Sequence, residues 1–209
     1  MFRDASFSAS TSSTAQLPLL LCFSHLRWSF VWQRPQQLMS RFADRYRVVF
    51  VEAPVPAAHG SPSMLSKRSI DGVTVLTPVL SCIEFEPRFG DVANPAIRTL
   101  LSGWVEQNAP CSRPVVWYWT PMALGACPES LSTALVVYDA MDELAAFRFA
   151  PPEMEAQETA MMRWADLVFT GGPSLYRARR ERHPRVSCFP SGVDTAHYRP
   201  AACERRTPD

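Results

Sequence analysis

Two stretches concentrate side chains that could do chemistry. The first reads Ser24-His25-Leu26-Arg27-Trp28-Ser29-Phe30-Val31-Trp32-Gln33-Arg34-Pro35. It is dense in hydrogen-bonding and stacking groups and contains no glycine. A dinucleotide site needs small residues here so that a pyrophosphate can approach the backbone, so NAD and FAD are disfavoured. No GxxxxGK[ST] run exists for a nucleoside triphosphate. A helix beginning at Arg34-Pro35 would instead offer free N–H groups and a positive dipole end, and Arg27 and Arg34 would add charge for a phosphate. The bland alternative is that Trp28, Phe30 and Trp32 pack under the loop while the arginines are solvated.

The second stretch is Tyr138-Asp139-Ala140-Met141-Asp142-Glu143. Asp139 or Asp142 could cap a following helix. The chemical reading is a carboxylate that binds a sugar hydroxyl or stabilises developing positive charge. Clustered carboxylates also suit a divalent cation, but no further ligand is identifiable and no metal site is expected. Two more segments follow. In Thr170-Gly171-Gly172-Pro173-Ser174-Leu175, the glycines would let backbone approach a ligand and Ser174 could cap the next helix. Since GxSxG is absent, this is no nucleophile elbow. The run Arg177–Arg185, RARRERHPR, reads first as a solvated helix end. Its alternative is contact with anionic lipid headgroups through Arg177, Arg179, Arg180 and Arg182.

Composition limits the field. The chain has 209 residues, 47% of them hydrophobic and 20% charged, which suits a globular domain with a sizeable core. A net charge of +1 provides no basic field for nucleic acid. Lys67 is the only lysine. The histidines are scattered without HExxH, and no two of the six cysteines stand close enough for a CxxC pair. Reduced cysteines in a cytoplasmic protein are expected. The apolar run Leu17–Phe23 is far short of the ~20 residues that span a bilayer, and it lacks a cleavage site for secretion. Residues 1–16, rich in Ser, Thr and Ala, read as a disordered leader.

These segments need a scaffold. Leu17–Phe23, Val48–Val51, Val73–Leu76, Val115–Trp119, Ala134–Tyr138, Leu167–Phe169 and Val186–Phe189 are short, continuous apolar runs. Such runs fit strands buried on both faces of a parallel sheet. Helical patterns lie between them at Pro35–Tyr46, 92–107, Pro152–Ala165 and 174–182. Pro35 suits a first helical turn; Glu153, Glu155 and Glu158 early and Arg163 late complement a helix dipole. Ala53–Asp71 is expected to be a long loop. The alternation predicts an α/β, Rossmann-like, doubly wound and mostly parallel sheet of six or seven strands, spanning residues 17–190. Ligands in such sheets bind beyond the carboxyl ends of the strands, where both chemical stretches fall.

Taken in order, SHLRWSFVWQRPQQLMSRFA, VVFVEAP, VVWYWTPMAL, VVYDAMDELAAF, ADLVFTGGPSLY and FPSGVDTAHYRP resemble the N-terminal half of GT-B-fold bacterial glycosyltransferases, those related to family 4 and the teichuronic-acid type. The resemblance implies transfer of a sugar from a nucleoside-diphosphate sugar to a cell-envelope glycan or lipid-linked acceptor, without a resident cofactor. It also implies a setting in the cytoplasm, at the inner face of the membrane. Residues 191–209 would begin the linker to a second, donor-binding domain whose carboxylates and phosphate-binding residues lie outside this sequence. The chain alone would then be an inactive half-enzyme completed by a separate donor domain. Candidate catalytic residues are His25, Asp139 and Asp142. Candidate substrate-binding residues are Ser24, Arg27, Trp28, Gln33, Arg34, Glu143, Gly171, Gly172 and Ser174, with Arg27 and Arg34 facing the leaving diphosphate. The rival expectation is a non-catalytic α/β module that binds a glycan or a partner.

Overall fold

A computed structural model describes residues 17–57, 62–69, 71–190, 192, 193 and 195. The leader at 1–16 and most of the linker at 191–209 lie outside the described residues.

All seven apolar runs form strands of one sheet. Its centre is β1 (Leu19–Ser24), every residue of which is buried. Leu19, Leu21 and Phe23 enter the core on one face, and Leu20 and Cys22 enter it on the other. That two-sided burial is why the run is continuous rather than alternating. β1 pairs in parallel with β2 (Arg47–Glu52) and with β6 (Val115–Tyr118). β5 (Thr74–Leu80) extends the sheet beyond β2. On the other side β7 (Leu135–Ala140), β8 (Leu167–Thr170) and β9 (Val186–Cys188) follow β6 in parallel.

The segment expected to be a loop, Ala53–Asp71, carries two further strands. β3 (Val55–Pro56) pairs in parallel with β5, and β4 (Ser63–Arg68) pairs antiparallel with it. Ser, Lys and Arg along β4 hid it, because this edge strand is mostly solvent-exposed. A polar edge is a normal protection against edge-to-edge association. Gly72, at φ 78°, makes the turn from β4 into β5. The strand order is β3-β5-β2-β1-β6-β7-β8-β9. The chain reverses its winding between β1 and β6, so the switch point lies between those two strands. β7, which carries Asp139, stands one place further out, beyond β6.

Among the described residues, four α-helices cover the sheet. α1 (Arg34–Phe42) lays Met39 on the Leu20–Cys22 face. α2 (Asn94–Asn108) and α3 (Met154–Trp164) cover the Phe23 face through Ile97, Leu101, Met161 and Met162. α4 (Pro173–Arg179) follows β8 and is shorter than the 174–182 pattern suggested. Pro35 occupies the first turn of α1 as expected.

Two charges placed on the surface by sequence reasoning are in the core. Glu158 faces inward from α3 instead of complementing its dipole, and Arg179 of α4 is 1% exposed. Glu158 Oε1 accepts from Tyr138 Oη at 2.9 Å and from Arg179 Nε at 3.1 Å. Its Oε2 accepts from Arg182 at 3.0 Å. Arg179 also forks onto Glu143, with both contacts at 3.1 Å. Burial alone would raise the Glu158 pKa; the hydrogen bonds and charge of Arg179 outweigh it and hold the carboxyl below its usual range. Arg179 therefore bolts α4 to α3 and to the loop after β7. It offers nothing to a membrane surface, and Arg182 is committed to Glu158. Replacing Arg179 with Met should cost roughly 3–5 kcal/mol in urea unfolding, because the buried Glu158 carboxylate loses its main partner. Arg179→Met combined with Glu158→Gln should recover part of that loss.

Candidate functional site

Three acid–arginine pairs lie at or beneath the carboxyl edge of the sheet, and they differ in one respect. The pair on α3 and α4 has no open carboxylate oxygen. The second is centred on Glu52, the last residue of β2, which stands beside Ser24 in register. Glu52 Oε1 accepts from the Trp28 N–H at 2.6 Å. Its Oε2 accepts from Arg27 at 3.2 Å and from Thr77 Oγ1 at 2.9 Å. Arg27 continues to the carbonyls of Ala53 and Pro54 at 2.6 and 3.0 Å. Ser24 is buried, and its Oγ accepts from the Leu26 N–H at 3.1 Å. Trp28 packs edge-on against Phe50, with ring centroids 5.1 Å apart. Ser24, Arg27 and Trp28 therefore hold the first loop to the second strand. Expected as ligand contacts, they are spent on the loop itself.

The third pair is different. Arg34, the first residue of α1, reaches Asp139 near the end of β7. Its Nε and Nη2 both donate to Asp139 Oδ2, at 3.3 and 3.2 Å. Its Nη1 donates to the Phe189 carbonyl at 2.7 Å, tying α1 to the segment after β9. Asp139 is 0% exposed, yet its Oδ1 has no hydrogen-bond partner. Nearly all buried polar atoms in folded proteins are satisfied, so each exception needs a reason. Burial pushes the Asp139 carboxyl up from 3.8 to about 6, even though the charge and hydrogen bonds of Arg34 pull it down. Thr170 Oγ1 and Trp117 Nε1 are also buried and unpaired.

The Arg34–Asp139 pair lines a cleft of about 1140 Å³. Gln33, Asp142 and Gly171 share that cleft, and exposed Trp32 stands at it. The entry to α1 is held by buried Gln36: its Oε1 accepts from the Gln33 N–H at 3.1 Å and its Nε2 donates to the Arg27 carbonyl at 3.1 Å. Gly171 is needed for the chain's own packing, because a Cβ there would sit 2.8 Å from the Met141 carbonyl oxygen. Gly172 faces open space. It, and not Ser174, occupies the residue before α4, with no side-chain cap; Ser174 is exposed. Neither Asp139 nor Asp142 caps a helix. The short 3-10 turn after β7, Leu144–Ala146, is preceded by Glu143 without a side-chain cap.

His25 belongs to a second pocket of about 420 Å³, on the Phe23 side of the edge, with Phe89, Met122 and Leu144. Asp142 links the two: it lines the first cleft, and its charge pulls the His25 pKa upward against burial, which holds it below the usual value. Of these candidates the structure brings Arg34, Asp139 and Asp142 into one cleft, sets His25 next door, and leaves Arg27 and Trp28 behind, against Glu52. Glu52, Gln36 and Phe189 were missed. An acid closing an otherwise apolar strand, as in VVFVE, was a readable signal for Glu52; a backbone carbonyl such as that of Phe189 leaves none. Among the described residues, no group of three or more His, Cys, Asp or Glu could hold a metal ion. No helix among them is long and apolar enough to cross a membrane.

The fold and the position of the cleft define a class: a Rossmann-like α/β domain of the kind found in GT-B glycosyltransferases. No family model and no curated protein matches the sequence. Among solved structures, the chain is similar to the UDP-forming α,α-trehalose-phosphate synthase of Burkholderia xenovorans in complex with glucose-6-phosphate. The TM-score is 0.56 at 12% identity, over 90% of this chain and 53% of that chain. The Burkholderia vietnamiensis synthase gives 0.56 at 14% identity, over 92% and 52%. An Escherichia coli structure, trehalose-6-phosphate bound with UDP-2-fluoro glucose, gives 0.53 at 9% identity, over 85% and 50%. At these identities the likeness is one of fold. The chain spans about half the length of these structures.

The raised Asp139 pKa has a sign that can be measured. Between the ordinary value of 3.8 and about 6 the folded state holds the proton more tightly than the unfolded state. Stability contributed by Asp139 is therefore full at low pH and falls as pH rises through that window. The loss should be on the order of 3 kcal/mol. Urea unfolding of the wild type and of Asp139→Asn at pH 4 and pH 7 isolates it. The wild type should lose ground to the variant by that amount between the two pH values.

Proposed function

We propose that this domain is the acceptor-side half of a GT-B glycosyltransferase. It works with a donor-binding domain to transfer a sugar from a nucleoside-diphosphate sugar to a cell-envelope glycan or lipid-linked acceptor. One observation carries the reading: among the described residues, of the pairs centred on Glu52, Glu158 and Asp139, only that of Asp139 keeps a buried carboxylate oxygen without a partner, and it does so beside a large cleft at the carboxyl edge of the sheet. An oxygen of this kind is suited to a sugar hydroxyl or to a developing oxocarbenium centre, where a carboxylate in a dry site acts strongly. Arg34 holds Asp139 ionised and presents its own charge at the cleft, where a departing diphosphate would gather. Asp142 orients the acceptor between the Asp139 cleft and His25. Gln33 and the backbone at Gly171 complete the wall.

The geometry of the cleft supports a division of labour between two domains. A cleft with one wall leaves a bound diphosphate in water, where each ion pair contributes ~1 kcal/mol or less. Transfer needs the donor pinned and water excluded, so the opposite wall must come from the second domain. A reducing, cytoplasmic setting agrees with the free cysteines Cys22, Cys82, Cys111, Cys127 and Cys188.

Saturation-transfer NMR with UDP-sugars, GDP-sugars and free sugars tests this reading. Binding by the chain alone should be weak, with Kd of about 1 mM, and should weaken at least several-fold in Arg34→Ala and Asp139→Asn. Absence of binding by every member of the panel overturns the reading. Micromolar binding of a nucleotide sugar, abolished by Arg34→Ala, contradicts the assignment of the donor to the other domain.

A further inference from the structure

The pocket beside His25 differs in chemistry from the Asp139 cleft. Its floor is apolar: Phe89 is 1% exposed, Met122 3% and Met154 7%. Its volume, about 420 Å³, lies within the range of small-molecule sites. Thr120 also lines it, but its Oγ1 is taken by the Met122 N–H at 3.3 Å. Phe147 and Phe149 border the pocket while standing largely in solvent, at 56% and 85% exposure. Large apolar side chains left exposed beside an apolar cavity mark an interaction site. The two methionines of the floor are unbranched and adaptable, which suits a flexible apolar ligand.

Charge at the rim has one sign. Among the described residues no Asp or Glu lines the pocket, whereas Arg88 and Arg148 do. Arg88 is matched by Glu86. Asp142, whose charge reaches His25, lines the other cleft. Arg148 is exposed, and its guanidinium lies over the Phe149 ring at 5.3 Å. That contact engages the cation without using a hydrogen-bond donor. Among the described residues no carboxylate or hydrogen-bond acceptor takes up the guanidinium, so its N–H donors remain for a ligand. A ligand that complements the pocket therefore brings apolar surface for the floor and an oxyanion for the rim, whose planar fork suits phosphate or carboxylate.

We propose that this pocket binds an amphiphile with an oxyanion head: its alkyl chain lies on Phe89, Met122 and Met154, and its head accepts from Arg148 at the rim. The inference rests on the acceptor-side reading and deepens it. The acceptor is carried on a single apolar chain ended by an anion, and that chain is held outside the Asp139 cleft.

The probes are butyl, hexyl and octyl phosphate, 1-octanol and inorganic phosphate, titrated into the full chain below the micellar range. Binding is followed through the methyl signals of Met122 and Met154 and the Nε–H signal of Arg148. Affinity should rise about fourfold for each added methylene until the pocket is full. Octyl phosphate should bind about two- to fivefold more tightly than 1-octanol, the margin of one exposed ion pair. Arg148→Gln should abolish that margin and leave octanol binding in place. Inorganic phosphate should leave both methionines unmoved. Ala150→Trp, placed in the pocket lining, should weaken every chain-bearing probe, while the unliganded methionine signals report that the floor is intact. Affinity that does not grow with chain length, or equal affinity of the wild type for octyl phosphate and octanol, overturns the inference. So does adhesion to phosphatidylglycerol vesicles while octyl phosphate leaves both methionines unmoved, which would assign this face to a membrane surface instead. No probe contains a sugar or a nucleotide, so failure here is distinct from failure of the transferase reading, which the nucleotide-sugar panel decides.

Discussion

A carboxylate sealed from water must either take up a proton or be matched by a cation, and that constraint at Asp139 organises the working edge of this domain. The matching cation is Arg34, and satisfying Asp139 fixes where Arg34 can be. It must begin α1 above the end of β7, across the neighbouring strands β1 and β6. The same guanidinium then reaches the Phe189 carbonyl, which draws the segment after β9 toward α1. The cleft is the space these ties leave between them. Its walls are set by one ion pair, with Gln36 locking the helix entry from behind.

The other two arginine–acid pairs show what the same chemistry looks like when it serves only the fold. Glu52 receives donors on both oxygens and closes the first loop onto β2. Glu158 likewise uses both oxygens, joining α3, α4 and β7. Neither leaves a carboxylate oxygen without a donor. Asp139 has its Oδ2 filled and its Oδ1 empty. An unsatisfied buried acceptor costs stability, and such costs persist where function requires them. His25 Nδ1, on the other side of the edge, is likewise buried and without a hydrogen-bond partner.

Much of this is legible in the sequence. Continuous apolar runs such as LLLCF and VVFV, bounded by turns and too short for a helix, fit strands buried on both faces, which implies the parallel sheet and its carboxyl edge. Arg34 and Asp139 were identified because both stand where such strands end. Arg27 could not be separated from Arg34 in the same way. Both are arginines seven positions apart in one loop, and only the register of β1 beside β2 decides that one meets Glu52 and the other Asp139. Arg179 was lost among the arginines of RARRERHPR, because helical phase alone distinguishes the one that turns inward. β4 was hidden by its polarity, since a strand that pairs along one edge and faces solvent has no apolar pattern to display.

The most direct measurement is a carbon-13 NMR titration of the Asp139 side-chain carboxyl, with and without a saturating UDP-sugar. A midpoint near 6 in the free domain, displaced when the sugar nucleotide binds, is the result this account predicts. A midpoint at the ordinary carboxylate value, unmoved by any sugar nucleotide that binds, would show that Asp139 is neither sealed nor in the site, and would contradict it.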